Sequence, residues 1–140
     1  MIVILEDNDD RQSIMRECLS SLVADQPIHF FKTALDTIDW FTGHLSETRF
    51  IALDHDLEML EGDHPHKLID PGTGRDVADF LATQQPVCPV IIHTTNFPAG
   101  VGMETTLKEA RWKTKRIVPY GDLEWIPELW FPTVKILLDH

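Results

Sequence analysis

Short apolar runs alternate with longer amphipathic stretches along the whole chain. The first run, residues 2–5, is continuously apolar, as is typical of a strand buried on both faces of a parallel sheet. Residues 11–23 then carry apolar side chains at helical spacing, on one stripe. The same alternation predicts strands at 2–5, 28–31, 50–53, 90–92 and 116–118, and helices at 11–23, 34–44, 75–84, 103–112 and 125–138.

This order of elements predicts an α/β fold with a doubly wound, five-stranded parallel sheet. Right-handed crossovers would place helices on both faces, and the expected strand order is the flavodoxin-like 2-1-3-4-5. The chain has 140 residues and no repeat or linker, so we expect a single domain over residues 1–140. Residues 58–73 form the irregular part of the pattern, and Pro132 should kink or delay the last helix.

Acidic residues directly follow two of the predicted strands. Glu6 and Asp7 come after the first strand, and Asp54, His55 and Asp56 come after the third. These strands are neighbours in the expected order, and ligands of such sheets bind at the carboxyl ends of the strands. Because crowded carboxylates repel one another, a hard divalent cation with oxygen ligands is the usual relief. The sequence therefore predicts a site for Mg²⁺ or another hard divalent cation.

Helix capping is the competing explanation for the first acidic group. One of Asp7, Asn8 and Asp9 is expected to cap the following helix, because these residue types are preferred there. Capping does not explain a second acidic group after the third strand. The candidate metal ligands are therefore Glu6, Asp7, Asp54 and Asp56, and the sequence does not separate ligation by Asp54 from ligation by Asp56.

The charge of the chain limits its partners. With 23 acidic and 12 basic residues, the net charge of −11 repels polyphosphate backbones, and the one basic cluster, residues 113–116, is short. We therefore expect no extended nucleic-acid partner, whereas a small phosphorylated ligand approached through a metal ion fits. The sequence has no apolar run long enough for a membrane span and no signal-peptide pattern, so the expectation is a cytoplasmic protein with no membrane partner.

Three motifs occur in a fixed order at the predicted strand ends. They are the pair Glu6-Asp7, then Asp54, then Thr94 at the end of the strand that begins at Val90. This set resembles the receiver domains of response regulators, and the resemblance covers nearly the whole chain. It implies that Glu6 and Asp7 hold Mg²⁺, that Asp54 is a metal ligand and possible phosphoacceptor, and that Thr94 contacts a phosphoryl oxygen.

The chain also departs from the receiver pattern. Receivers carry a lysine followed by a proline after the fifth strand, whereas here Val118 stands before Pro119; Lys115 and Arg116 come too early unless the strand register slips. The segments 53–57, 73–77 and 93–96, the last reading His-Thr-x-Asn, are similar to the divergent cyclic-phosphate-processing branch of receiver-like domains. That resemblance implies a small cyclic phosphate substrate.

The resemblance and the residues together give the candidate catalytic and binding groups. The catalytic candidates are Asp54, His93, Thr94 and His55, and the substrate-binding candidates are Thr94 and Asn96. Strand alternation turns Thr94 toward the pocket and His93 to the opposite face, although the resemblance singles out His93 as well. Asn96 serves either as a turn residue or as a ligand of a phosphoryl oxygen. His64 and His66 are weaker candidates for closing over the pocket.

Two main functions follow from these observations. The first is metal-assisted hydrolysis of a phosphate ester, plausibly a cyclic one, with histidine as the proton donor. The second is a phosphorelay receiver that accepts phosphate on Asp54 and signals to a protein partner. The absence of a lysine before Pro119 disfavours the second function, because that cation stabilises the phosphorylated state. A binding-only adaptor is disfavoured because the acidic residues and Thr94 are all present.

Overall fold

Five parallel strands form the central sheet. The computed structural model describes residues 1–61 and 68–139, and its main strands are β1 (Ile2–Leu5), β2 (Ile28–Phe31), β3 (Phe50–Leu53), β4 (Val90–His93) and β5 (Thr114–Ile117). Their order is β2-β1-β3-β4-β5, and every pairing is parallel. The expected α/β fold and its flavodoxin-like order are therefore confirmed.

Five helices cover the two faces of this sheet. They are α1 (Asp9–Ser20), α2 (Ala34–His44), α3 (Gly74–Ala82), α4 (Phe97–Glu109) and α5 (Phe131–Leu138). A π-helical turn, Ile126–Trp130, precedes α5. Pro132 is the second residue of α5, directly after the π-helical turn, and it has no N–H to donate to that turn. It does not delay the last helical segment, which begins at Trp125 and continues through the π-helical turn into α5.

Several predicted boundaries differ from the structure, and two of the differences have a clear physical cause. Helix α4 begins at Phe97 instead of residue 103, because the Asn96 side chain accepts a hydrogen bond from the Ala99 amide and Pro98 starts the first turn. Strand β5 is Thr114–Ile117 instead of 116–118, since its pairing with β4 begins at Thr114. The first difference arises from a local cap that an apolar pattern does not show, and the second arises from pairing with a strand distant in the sequence.

The sheet carries a separate apolar core on each face. On one face, alternate strand residues pack against α2, α3 and α4, for example Val3, Leu5, Ile51, Leu53, Phe41, Leu81 and Met103. On the other face, the intervening residues pack against α1, the π-helical turn and α5, for example Ile2, Ile4, Phe50, Met15, Trp125, Trp130 and Val134. Burial on both faces explains why β1, β3 and the first three residues of β4 read as continuous apolar runs, whereas the edge strands β2 and β5 are less buried and more polar.

A short antiparallel hairpin lies in the stretch that the sequence left irregular. Leu60–Glu61 pairs with Leu68–Ile69. The predictions for His64 and His66 fall outside the described residues. None of the helices in the described part of the chain combines the length and apolar character that crossing a membrane requires.

Candidate functional site

The register of the three central strands brings two carboxylates and an imidazole together. Glu6 follows β1, Asp54 follows β3 and His93 ends β4, and the ends of these strands are paired side by side. Paired residues of neighbouring strands share a face and lie about 4.8 Å apart. One ligand-type atom from each of the three side chains lies within 4.8 Å of the others, and all three residues are buried.

His93 therefore points to the acidic cluster, and the alternation argument that turned it away is wrong. That argument placed the acids on the same face as Thr94. In the structure His93 and Thr94 do alternate, but Glu6 and Asp54 share the face of His93, where its ring packs against Trp125. Thr94 is buried on the side of α4, and its hydroxyl oxygen accepts a hydrogen bond from the Asn96 amide at 3.1 Å.

Glu6 is a buried carboxylate whose two oxygens both have donors. Its Oε1 accepts a hydrogen bond from His93 Nε2 at 3.1 Å, and its Oε2 accepts one from the Asn8 amide at 3.0 Å. Burial by itself would raise the pKa of Glu6, but the hydrogen bond and charge of His93, the Asn8 amide and the charge of Arg11 lower that pKa to about 2. Glu6 is therefore ionised at neutral pH.

Asp54 has the opposite electrostatic balance. Its Oδ1 accepts a hydrogen bond from the His55 amide at 2.7 Å, and its Oδ2 lies 3.8 Å from Nη1 of Arg11. Burial raises the pKa of Asp54 to about 7, and the negative charge of Glu6 adds to this effect while His93 opposes it. Without a further positive charge, the second carboxyl group of the cluster therefore holds its proton into the neutral range.

Asp7 lies beside this cluster but outside it. Its Oδ2 accepts a hydrogen bond from the Glu58 amide at 2.6 Å, and burial, together with Glu6, raises the pKa of Asp7. It lines an open cavity of about 390 Å³ with Asn8, Asp9, Asp10, Lys32, Glu58 and Leu60. Of the three capping candidates, Asn8 caps α1 by accepting a hydrogen bond from the Arg11 amide.

A second, more exposed group lies at the same edge of the sheet. The Asp56 side chain is 66% exposed and lies outside the cluster of Glu6, Asp54 and His93. One of its oxygens is 3.8 Å from Nε2 of His55, and the other accepts a hydrogen bond from the side-chain Nδ2 of Asn96 at 3.4 Å. The structure therefore joins the predicted residues Asp56, His55 and Asn96 to one another.

The side chains of the cluster fit a divalent cation. Two adjacent carboxylates provide the oxygen ligands that Mg²⁺ and Mn²⁺ prefer, and the imidazole nitrogen suits Zn²⁺. Two buried atoms at the edge, Nδ1 of His93 and Nδ1 of His55, have no hydrogen-bond partner among residues 1–61 and 68–139. Since buried polar atoms are usually satisfied, these two nitrogens are candidates for contact with an additional ligand or water.

Arg11 is a member of the site that the sequence interpretation missed. Its Nη1 lies 3.5 Å from Oε1 of Glu6, and its guanidinium lies over the ring of Trp125, 5.3 Å from the centroid. The available signal was its place in the first turn of α1, immediately beyond the acidic end of β1. A cation at that position of a doubly wound fold lies close to the carboxyl ends of the strands.

The basic residues of β5 do not enter the site. Lys115 is exposed and pairs with Ile91, before the end of β4. Arg116 lies 3.7 Å from Glu104 and its guanidinium is 5.0 Å from the centroid of the Phe97 ring. The strand register therefore has no slip that would bring either residue to the position before Pro119.

Gly74, in the segment 73–77, lies directly against the backbone of Asp54 and His55. Its amide donates a hydrogen bond to the His55 carbonyl at 3.0 Å, and any Cβ at this position would collide with the carbonyl oxygen of Asp54. Thr73 and Asp76 form a reciprocal capping box at this end of α3. The helix thus packs its first residue directly against the backbone that presents Asp54.

Solved structures resemble this fold at low sequence identity. The phosphorylated cyanobacterial phytochrome response regulator RcpA superposes with a TM-score of 0.73 at 14% identity, covering 98% of this chain and 92% of that one. The Mn²⁺-bound response regulator Rcp1 superposes with a TM-score of 0.61 at 18% identity, covering 94% of each chain. The response regulator domain of Thermotoga maritima CheB superposes with a TM-score of 0.63 at 14% identity, covering 99% of this chain and 96% of that one.

These structures share the receiver fold with the chain. No curated protein matches the sequence. Residues 1–109 match the family described as the cyclic-phosphate processing receiver domain, and this span contains every predicted site residue from Glu6 to Asn96. The chain therefore belongs to the cyclic-phosphate processing receiver domain family.

Proposed function

We propose that this receiver domain binds a divalent cation and hydrolyses a small cyclic phosphate ester. The observation that carries the proposal is the buried cluster of Glu6, Asp54 and His93, with Arg11 within 4 Å of both carboxylates. Isolated buried charges are costly, so a buried cluster of ionisable groups with perturbed pKa values is a functional-site candidate. The family match over residues 1–109 supports the cyclic phosphate as the substrate class.

The proposed cation is Mg²⁺ or another hard divalent ion, with Glu6 and Asp54 as ligands and Asp7 or Asp56 as further candidates. The donor set of the cluster and the Mn²⁺ named for the similar Rcp1 structure support a divalent ion. Once bound, such an ion would neutralise charge on the phosphoryl oxygens and activate a water molecule.

The residues of the chain itself would manage the proton and the remaining oxygens. His93 and His55 are alternative donors of the proton that the leaving alkoxide needs, since histidine is suited to proton transfer near neutral pH. The hydroxyl oxygen of Thr94 accepts a hydrogen bond from the backbone N–H of Asn96. The hydroxyl proton of Thr94 is therefore available for a phosphoryl oxygen. Asn96 would lie next to Thr94 and steady the same group.

The acidic surface favours a small substrate over a long one. A net charge of −11 repels an extended nucleic acid, while a metal ion and Arg11 offer a local positive site for one phosphate. The proposal therefore includes a small phosphorylated or cyclic phosphate ligand, a cytoplasmic location and no membrane partner.

The test combines metal binding with turnover. Purified protein with Mg²⁺ or Mn²⁺ is incubated with a panel of 2′,3′- and 3′,5′-cyclic nucleotides, and products are followed by chromatography. We expect turnover of at least one member, its loss in Asp54→Ala, and its retention in the matched control Asp39→Ala, an exposed aspartate of α2. If His93 is the acid, His93→Gln should lower the rate at least about tenfold, since general acid catalysis typically contributes about 10²–10⁴-fold.

Metal binding has its own measurement. Millimolar Mg²⁺ should raise the melting temperature of the wild type, because the ion binds the folded state preferentially. Asp54→Ala should abolish this increment, and a comparison with Asp56→Ala tells which aspartate is the ligand. No turnover of any cyclic nucleotide, or an equal increment in wild type and Asp54→Ala, would contradict the proposal.

A phosphorelay receiver is the alternative function. The presence of Asp54 at the end of β3 and the similarity to phosphorylated RcpA favour it, whereas Val118 before Pro119 argues against it. Backbone amide shifts measured with and without beryllofluoride and Mg²⁺ distinguish the two functions. Large, Asp54-dependent shifts at Thr94 and across α5 would favour a signalling module with a protein partner.

A further inference from the structure

The guanidinium of Arg11 occupies the space between the two carboxylates of the cluster. A single nitrogen, Nη1, lies 3.5 Å from Glu6 Oε1 and 3.8 Å from Asp54 Oδ2. Within the described ranges 1–61 and 68–139, no other arginine or lysine side chain lies within 4.0 Å of either carboxylate. Arg11 therefore provides the positive charge that a metal ion at this position would also provide.

The two contacts are too long to hold the guanidinium firmly. Charge-assisted N–H···O bonds are typically about 2.7–2.9 Å, and a bidentate pair would use two nitrogens on one carboxylate. Here one nitrogen is shared between two carboxylates at greater distances. A separate support for the side chain is the ring of Trp125, which is fully buried and lies beneath the guanidinium.

This arrangement lets Arg11 give up its carboxylates without leaving the site. The Arg11 side chain is 27% exposed, and its contact with Trp125 does not depend on Glu6 or Asp54. A divalent ion between the carboxylates would repel the guanidinium, because like charges at about 4 Å interact strongly in a poorly solvated site. The released N–H groups would then face the open edge of the pocket, where a planar guanidinium matches the geometry of a phosphate group.

We infer that Arg11 is an exchangeable counter-ion of Glu6 and Asp54 that yields its place to the divalent cation and then binds the phosphoryl oxygens of the substrate. The inference rests on the proposed function, since Arg11 would bind the phosphate group of the substrate at that same metal site. It also provides a cation at the pocket of a chain that lacks a lysine before Pro119.

The experiment compares Arg11→Gln with Arg16→Gln. Glutamine is uncharged and has a helix propensity close to that of arginine, and the control residue Arg16 lies on the same helix but over the ring of Phe30, at 4.8 Å. The affinity for Mg²⁺ alone is measured by calorimetry, and the affinity for inorganic phosphate is then measured at saturating Mg²⁺. Unfolding curves confirm that both variants are folded.

The expected changes have opposite signs. Arg11→Gln should bind Mg²⁺ more tightly, by roughly tenfold, because the competing charge is gone; that is about the value of one charge-assisted contact. The same variant should bind phosphate roughly tenfold more weakly once the metal is bound. Arg16→Gln should match the wild type in both measurements. A purely structural role for Arg11 would weaken both affinities together.

The outcomes separate this inference from the proposed function. If the wild type binds no divalent ion, both are overturned. If the wild type binds Mg²⁺ and Arg11→Gln binds it equally or less tightly, the counter-ion role is wrong while the metal site stands. If phosphate affinity is unchanged in Arg11→Gln, the substrate-binding role is wrong. Arg11→Lys gives a further check, because it keeps the charge and should restore metal competition more fully than phosphate affinity.

Discussion

The two faces of the sheet end differently at the carboxyl edge. On the face covered by α2, α3 and α4, apolar packing continues to Leu53 and Ile92, which are fully buried. One residue further along the same strands, the face covered by α1 and α5 carries Asp54 and His93, buried to a similar degree beside Glu6. Successive residues of the same strands thus enter environments of opposite polarity.

This difference separates stability from binding. Burying Leu53 and Ile92 stabilises the fold in proportion to the apolar area that leaves water. Burying two carboxyl groups together costs free energy, and the raised pKa of Asp54 records that cost. Leu53 and Ile92 therefore stabilise the fold without a ligand. The other face has its own apolar core but ends in Glu6, Asp54 and His93, and we call it the charged face.

The largest effect should come from the apolar face. Leu53→Ala should lower the free energy of unfolding by about 2–5 kcal/mol, because it removes a fully buried side chain and leaves a cavity. Urea unfolding at neutral pH measures the change, and the Mg²⁺ affinity of the folded variant should remain close to that of the wild type. A cost below about 1 kcal/mol would contradict close packing around Leu53.

Replacing Asp54, the residue after Leu53, should stabilise the metal-free protein. In the metal-free protein, Asp54→Asn should raise the free energy of unfolding at pH 8, by up to about 4 kcal/mol, since one pH unit is worth about 1.4 kcal/mol. The pKa of Asp54 rises from 3.8 to about 7 on folding, so the folded state holds this proton more tightly and the wild type loses stability as pH rises through that window.

The pH profile of unfolding checks this prediction. Between about pH 4 and pH 7, the stability of the wild type should fall while that of Asp54→Asn stays more nearly level. Saturating Mg²⁺ should reverse the order of the two proteins, because only the wild type keeps the carboxylate ligand. A less stable Asp54→Asn in the absence of metal would contradict the idea of like-charge strain.

A substitution of His93 should show that the charged face cannot simply be made apolar. His93→Leu should cost about 1.5–3 kcal/mol at pH 7, the usual value of a hydrogen bond to a charged group, because Glu6 loses its donor. The pKa of Glu6 is lowered on folding, from 4.5 to about 2, so its stabilising contribution is present above 4.5 and disappears as pH falls toward 2.

The loss caused by His93→Leu should therefore shrink below pH 4.5. Unfolding measured at pH 7 and pH 3 gives the comparison, with Ile92→Val as a control on the apolar face. If the cost of His93→Leu were the same at both pH values, the ring would contribute through packing on Trp125 and not through its contact with Glu6.

The smallest effects should come from the two asparagine caps. Asn8 caps α1 on the charged face, and Asn96 caps α4 on the apolar face. Each change to Ala should cost about 1 kcal/mol in unfolding free energy. Only Asn96→Ala should also weaken phosphate binding at saturating Mg²⁺ if Asn96 holds a phosphoryl oxygen. Equal phosphate affinities in the two variants would limit Asn96 to capping.

The sequence alone determined the fold class and the strand order. Continuous apolar runs alternated with amphipathic stretches because the strands are buried on both faces and the helices on one, and this difference is local. The start of α4 was lost because it depends on the Asn96 cap and Pro98 rather than on an apolar stripe. The delay expected from Pro132 is wrong, because the preceding π-helical turn, Ile126–Trp130, leads into α5 without an interruption.

The sequence also identified the acids at the strand ends, but the tertiary structure decided which of them meet. Side-chain direction at a strand end depends on the register of the neighbouring strands, and that register placed His93 with Glu6 and Asp54 while leaving Asp56 with His55 and Asn96. Arg11 was missed for the same reason. Its position opposite both carboxylates arises from the packing of α1 against Trp125, which lies far away in the chain and close in the fold.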